Sequence, residues 1–326
     1  MEPYHLAQDF EEPIDYKLSD AMTDCRHENQ RQQDPYWIGV PNCRSRFTFR
    51  KQVRGRMSSD VHVSFDEVAR RVVPTSKKDS SNQLLFFGCS YTWGEGVEDE
   101  ETFANQVTSR LAIPVRAFNL SAMGWGPNHV LRLLQNRNEP RMKGIQPGSG
   151  VAIYTFIDDH IRRVFGNRET FRGPSHVNDP YYYLRDGRLV NGGSFESGRP
   201  LWSSILELLA HSELLSYFHI DLPLAGDQDF VLFAAIIREI RDTLKEKYGI
   251  NTFIFSIFPG DNYYASRLLP LLQHEGVEVF DFSEVDIDGL MKGRNLLFGN
   301  YHPSPLSHRF YADLLVREMR KRSIQF

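Results

Sequence analysis

Leu84-Leu-Phe-Phe-Gly-Cys-Ser-Tyr-Thr-Trp-Gly-Glu-Gly-Val97 is the stretch from which the fold is read. A short apolar run ends at Gly88 and delivers Ser90 to its C-terminal edge. Gly94 and Gly96 follow, and the acidic run Glu98 to Glu101 opens a segment where Phe103, Val107 and Leu111 recur at helical spacing. That is a strand, a tight loop and a helix, with a hydroxyl held at the turn. In open α/β sheets ligands sit beyond the carboxyl ends of the strands. Ser90 therefore stands where a nucleophile is useful, although a serine at a turn also serves to satisfy backbone groups.

From Leu84 onward, strand and helix signals alternate. Buried strands are expected at 84–88, 115–120, 151–157, 250–258 and 277–282. Helices are expected at 100–112, 128–135, 201–218, 230–247 and 305–320, with Ser304 placed to cap the last. This alternation predicts a three-layer α/β/α fold with a mostly parallel sheet. An insert at about 165–225 interrupts it and contains a hairpin turning at Asp186-Gly187. Residues 1–80 are polar and read as an N-terminal extension, a small cap or wrap. Short strands are expected there at 47–53 and 61–65, in an extension that is partly irregular and whose first 30 residues are expected to be partly disordered. Residues 81–326 form the main domain.

The 326 residues are 41% hydrophobic and 25% charged, as in a globular domain with one large core. A formal charge of -4 offers no field for nucleic acid, and the basic runs Arg44 to Arg56 and Arg317 to Arg322 read as solvated faces. Cys25, Cys43 and Cys89 are odd in number and lack metal-knuckle spacing, so they read as free thiols. Neither a metal nor an organic cofactor is implied. The first residues lack the basic start and apolar segment of a signal peptide. No apolar stretch approaches the ~18 residues of a membrane span, and a cytoplasmic protein is expected.

Four segments carry unusual clusters. They are the Ser90 loop, Asn119-Leu-Ser-Ala-Met-Gly-Trp-Gly-Pro127, Phe156-Ile-Asp-Asp-His-Ile-Arg-Arg163 and Gly299-Asn-Tyr-His-Pro-Ser-Pro-Leu-Ser-His308. All four can converge on one edge of a parallel sheet. Acyl transfer needs a nucleophile, a base and donors for the oxyanion. Ser90 supplies the first and His302 the second, while the N–H groups of Ser90 and Gly124 are candidate donors. His160, Arg162 and Arg163 read as a salt-bridged surface or an anion contact. Trp93 and Trp125 read as core or as pocket lining. Cys89 alternates away from Ser90, and His308 reads as structural.

These blocks resemble the SGNH, or GDSL-like, hydrolase superfamily. The family's Gly-Asp-Ser is matched by Gly88-Cys89-Ser90, followed by a continuation to Phe103 similar to that of a large bacterial subgroup. Asn119-Leu-Ser-Ala-Met-Gly124 resembles the second block, whose final glycine donates to the oxyanion. His302-Pro303-Ser304 followed by His308 resembles the last block, whose first histidine is the base. Val63-Ser-Phe-Asp with Arg71, Asp186-Gly-Arg-Leu and His211-Ser-Glu-Leu-Leu are similar to the same subgroup. The resemblance spans about residues 60–320 and implies a flavodoxin-like α/β/α fold, while the insert and the leader are expected to form a cap that selects the substrate. It implies hydrolysis of a small-molecule or carbohydrate ester, possible acyl transfer, and no cofactor.

Two departures stand out. The third block's Gly-x-Asn-Asp is matched by Phe156, Asp158 and Asp159, so a carboxyl replaces the amide that donates to the oxyanion. Asp158 is thus a protonated donor, the missing catalytic acid or a group with another task, and Asn128 is a substitute donor. The aspartate expected just before the histidine is replaced by Gly299 or Asn300. The acid then comes from elsewhere, with Asp158 and Asp159 as candidates, or a Ser–His dyad operates. A binding protein that retains the fold without the chemistry is the competing reading.

Overall fold

The computed structural model describes residues 15–18, 45–53, 56–136, 138–172, 176–260, 262–297, 299 and 301–326. Three antiparallel strands come first, in order β1 (Asp15–Leu18), β2 (Ser45–Val53) and β3 (Arg56–Phe65). The rest of the first 30 residues, and Cys25 and Cys43, lie outside the described residues. Phe49, Val63 and Phe65 form a small core with Trp93, so the extension packs on the segment that carries Ser90. Arg71 then bridges in the backbone to Phe65 and Asn119, tying this sheet to the main one.

Beyond it run β4 (Gln83–Phe87), β5 (Arg116–Asn119), β6 (Gly150–Phe156), β7 (Pro180–Arg185), β8 (Arg188–Ser194), β9 (Thr252–Ile257) and β10 (Glu278–Asp281). A five-stranded sheet has the order β10-β9-β6-β4-β5, with every pair parallel. Every residue of β4 and β6 is buried, because helices cover both faces of the sheet. Phe103 and Val107 of one helix and Tyr311, Leu315 and Met319 of another cover one face. Val130 and Leu134, with Phe233, Ile237, Ile240 and Leu244, cover the other.

The last four follow the i, i+4, i+7 spacing of the long helix Asp227–Tyr248, which ends where Gly249 turns left-handed at φ 64°. Fully burying each such side chain contributes ~1.5–3 kcal/mol, so truncating Ile237 to Ala would cost ~2–5 kcal/mol through the cavity left behind. The α/β fold with a largely parallel sheet between helices is as the sequence pattern predicts.

Two helices are shorter than their periodicity suggests. Residues 100–112 divide into a 3-10 turn, Asp99–Glu101, and the helix Phe103–Thr108, because the Thr102 hydroxyl accepts the Asn105 N–H at 3.2 Å and starts a new helix. Residues 201–218 divide into Pro200–Ala210 and Glu213–Tyr217, the second capped by Ser212. The hairpin β7–β8 turns at Asp186-Gly187, where both residues have positive φ. Among the described residues no helix is long and apolar enough to cross a membrane.

The chain leaves β4 for β5 on one side and returns to β6 on the other. Phe87 pairs with Tyr154, so the loops after β4 and β6 leave the same end of the sheet and part there. Such a switch point opens a crevice beyond the strand ends, and Ser90 lies at it.

Candidate active site

Gly88 follows β4 at φ 152°. A Cβ there would collide with the Thr92 hydroxyl and lie 3.2 Å from the Thr155 carbonyl, so the turn closes only without a side chain. Ser90 opens a single helical turn, Ser90–Trp93, and Gly94 ends it at φ 91°. The N–H groups of Gly94 and Glu95 both donate to the Ser90 carbonyl, at 2.8 and 3.0 Å, and Gly96 (φ 77°) continues the reversal. The chain therefore doubles back and brings Glu95 beside Ser90. Glu95 is 5% exposed.

Arg71 holds this loop from beneath. Its guanidinium donates to the carbonyls of Trp93, Gly94 and Val97, and its Nε donates to Asp99 Oδ1 at 3.1 Å. Burial lowers the Arg71 pKa, and the charge of Asp99 opposes that. Removing either partner of such a buried pair typically costs ~3–5 kcal/mol.

His302 reaches the loop from the far end of the chain. Its carbonyl accepts the Leu297 N–H at 3.0 Å, and Ser304 caps the final helix, Pro305–Lys321, two residues later. The Tyr91 hydroxyl donates to the Tyr301 carbonyl at 2.6 Å. This clamps the histidine segment to the residue after Ser90. His302 Nε2 lies 2.7 Å from Ser90 Oγ and 3.1 Å from Glu95 Oε2. The other carboxylate oxygen, Glu95 Oε1, lies 3.6 Å from the ammonium of Lys51 on β2.

The structure thus brings Ser90, Glu95 and His302 together, with Glu95 on the same ring nitrogen as Ser90 rather than on the opposite one. A neutral ring can take the serine proton on Nε2, and the resulting N–H then faces a carboxylate.

Gly124 lies in the loop after β5, whose start is fixed where the Leu120 N–H donates to the Phe86 carbonyl at 2.8 Å. Its φ is 75°, and a Cβ there would meet only the His176 Cε1, at 3.8 Å. The His176 ring is itself oriented, with Nδ1 at 2.6 Å from Asp179 Oδ2. Gly126 N–H donates to His129 Nδ1 at 3.1 Å, which leaves the ring proton on Nε2, 3.1 Å from Asp179 Oδ1. Burial opposes ionisation of Asp179, but His129 and His176 outweigh it and hold the carboxyl well below the usual carboxylate range.

Asp158 is engaged elsewhere. Its carboxylate accepts the Tyr264 N–H at 3.2–3.3 Å, in the loop after β9. Burial, opposed by the N–H groups of Tyr264 and Tyr263, pushes its pKa up to about 7. Asp159 pairs with Arg162 and Arg163 at 3.3 and 3.7 Å. Asn128 turns its amide to the carbonyls of Pro180 and Arg163, at 2.8 and 3.3 Å.

His160 is not on a salt-bridged surface. It is fully buried, its Nδ1 is 2.8 Å from the Tyr154 hydroxyl, and burial lowers its pKa strongly. Cys89 is a buried free thiol whose pKa burial raises against the charge of Arg163. Trp93 and Trp125 are both buried, under the guanidinium groups of Arg71 and Arg141. Asn300 lies outside the described residues. Among the described residues no cluster of three or more His, Cys, Asp or Glu side chains is placed to hold a metal ion.

Sequence reasoning passed over Glu95 and Lys51. Glu95 sits inside the opening stretch, between two glycines, where an acid reads as an ordinary loop residue. Lys51 belongs to a basic run read as a solvated face, yet it is 2% exposed. The signal for it was the alternation Phe47, Phe49, Lys51, Val53, which places the lysine on the apolar side of a strand.

No family model and no curated protein matches this chain. Solved structures similar to it are esterases, lipases and GDSL-type hydrolases. An acetyl xylan esterase (Est2A) from the rumen bacterium Butyrivibrio proteoclasticus is 15% identical, with a TM-score of 0.45, over 82% of this chain and 72% of that one. The psychrotrophic esterase EstA from Pseudoalteromonas sp. is 12% identical, with a TM-score of 0.41, over 75% of this chain and 100% of that one. A lipase/acylhydrolase from Enterococcus faecalis is 13% identical, with a TM-score of 0.39, over 74% and 96%. At these TM-scores the likeness is loose, and only the site's own atoms bear on its chemistry.

Proposed function

We propose that this protein is a serine hydrolase of carboxylic esters that works through an acyl-enzyme. The observation that carries the reading is the 2.7 Å contact between Ser90 Oγ and His302 Nε2. Ser90 attacks the ester carbonyl while His302 takes its proton. The N–H groups of Ser90 and Gly124 receive the oxyanion. The tetrahedral intermediate collapses, the leaving alkoxide takes the proton from His302, and water activated by the same ring releases the acid. Glu95 faces the protonated nitrogen and stabilises the imidazolium. The strand order supports the flavodoxin-like arrangement that the resemblance implies, and the His176 ring of the insert, beside Gly124, supports the insert as a cap over the site. The resemblance also points to an acetylated carbohydrate as substrate.

A panel of acyl esters, including acetylated sugars, tested on wild type and Ser90→Ala decides the reading. Turnover by wild type, with a loss of ~10³-fold or more in the variant, is expected. An active Ser90→Ala protein would remove the serine from its role. Negligible turnover by both across the panel would leave a binding protein on this scaffold. Acetate release that falls when a sugar acceptor is added would mark an acyltransferase.

A further inference from the structure

We propose that Lys51, supplied by the N-terminal hairpin, is a positioning residue for this site, whose ammonium holds the Glu95 carboxylate aimed at His302. The proposal rests on Ser90 and His302 being the reacting pair.

Lysines are almost never fully buried unless paired, because desolvating an ammonium is costly. Lys51 is nevertheless 2% exposed, on the same face of β2 as Phe49, which is 1% exposed. The ladder between β2 and β3 shifts register between Lys51 and Gln52. Such irregularities re-aim side chains and recur beside active sites. Ser59, the partner of Lys51 across the ladder, lies 3.3 Å from the position a Gly96 Cβ would take, so the hairpin packs directly on the Glu95 loop. The Glu95 carboxylate spans the gap, with one oxygen 3.6 Å from Lys51 Nζ and the other 3.1 Å from His302 Nε2. Lysine, glutamate, histidine and serine thus form a continuous polar row.

The other charged groups nearby serve different partners. Arg71 donates to the loop carbonyls and to Asp99. His308 is fully buried, and burial, then the charges of Arg71 and His302, push it down to about 3, so it stays neutral. A hydrophobe at position 51 would pack with Phe49 at no desolvation cost. Without Lys51, the Glu95 carboxylate loses the cation beside Oε1 and is no longer held toward His302 from that side. The imidazolium that forms during proton transfer from Ser90 then loses its counter-charge.

The test uses the full chain as wild type, Lys51→Met, Lys51→Arg, Glu95→Gln and the double variant Lys51→Met/Glu95→Gln. Ester turnover against pH and an NMR titration of the His302 ring are both recorded. Lys51→Met should lower kcat by ~30-fold or more with KM within ~3-fold, and Lys51→Arg should recover most of the loss. The His302 midpoint should fall in Lys51→Met as the Glu95 carboxylate turns away from the ring. The double variant should be little worse than Glu95→Gln alone. Should Lys51→Met fail to fold, Lys51→Gln takes its place.

A kcat unchanged in Lys51→Met, additive losses in the double variant, or a His302 midpoint that rises would each overturn the proposal. A rise would mean that Lys51 acts only by repelling the imidazolium. If wild type turns over no ester, the hydrolase reading fails by itself. The ring titration still decides Lys51, since a fall retains the coupling and an unmoved midpoint rejects it.

Discussion

Ser90 Oγ and His302 Nε2 stand 2.7 Å apart, although 212 residues of chain separate them. The two segments meet because the Tyr91 hydroxyl donates to the Tyr301 carbonyl. The Tyr91 ring also lies against the His302 ring, with centroids 5.5 Å apart. Tyr91→Phe keeps the ring and removes the clamp. A neutral hydrogen bond contributes ~1 kcal/mol to stability, so the melting temperature should barely move. Turnover should fall by ~10-fold, because small misplacement of a base is amplified in the rate. Equal fold-losses in kcat and in stability-limited yield would instead mark Tyr91 as structural.

Glu95→Gln keeps shape and removes charge. The imidazolium loses its carboxylate, and kcat should fall by ~10²-fold or more with KM little changed. Lys51 then loses the Glu95 carboxylate beside its ammonium, so stability should also drop by ~3 kcal/mol. Denaturant unfolding and steady-state kinetics read the two effects separately. A variant that is destabilised but fully active would show that Glu95 serves only to neutralise Lys51.

Gly88 and Gly124 both need positive φ, yet they should respond differently to alanine. At Gly88 the new methyl meets the Thr92 hydroxyl and the Thr155 carbonyl, in a turn fixed by a buried strand. A loss of ~3 kcal/mol or more, with poor soluble yield, is expected for Gly88→Ala. At Gly124 the methyl finds open space and only the His176 ring at 3.8 Å. Gly124→Ala should fold with a cost of ~1–2 kcal/mol from left-handed backbone. Its N–H shifts from its aim, so kcat should fall by ~10²-fold. Unimpaired kcat in Gly124→Ala would take its N–H out of the oxyanion site.

The parallel sheet was legible because its strands are continuous apolar runs, and Leu84 to Phe87 is buried on both faces. Ser90 and His302 were legible because each stands at a strand end or helix start, where geometry follows from local pattern. Glu95 was harder to see. Its burial depends on two left-handed glycines that fold it back and on a lysine from another sheet, and neither is a local property. Lys51 was hidden by composition, since a run of arginines around it reads as solvent-facing until the two-residue period of the strand is imposed. Asp158 stood where the resemblance puts an oxyanion donor, but its hydrogen bonds go to the loop after β9, which sequence spacing does not reveal.

That placement makes Asp158 a source of pH dependence. Its pKa is about 7 when folded, against an ordinary value near 3.8, chiefly because the carboxyl is buried. A folded pKa raised above the unfolded one contributes stability that is fully present below about pH 4 and is lost as pH rises through 7. The folded protein should therefore weaken between pH 4 and 7 relative to Asp158→Asn, which does not ionise, and the difference should level off above 7. About 4 kcal/mol is its upper size. Denaturant unfolding of both proteins at about pH 4.5, 6, 7.5 and 8.5 measures the gap. Activity offers an independent reading, because an amide can donate a hydrogen bond at every pH and an ionised carboxylate cannot. If position 158 touches the oxyanion, the ratio of Asp158→Asn to wild-type turnover should climb as pH passes 7. A ratio that stays flat while the stability gap opens would confine Asp158 to holding the Tyr264 backbone.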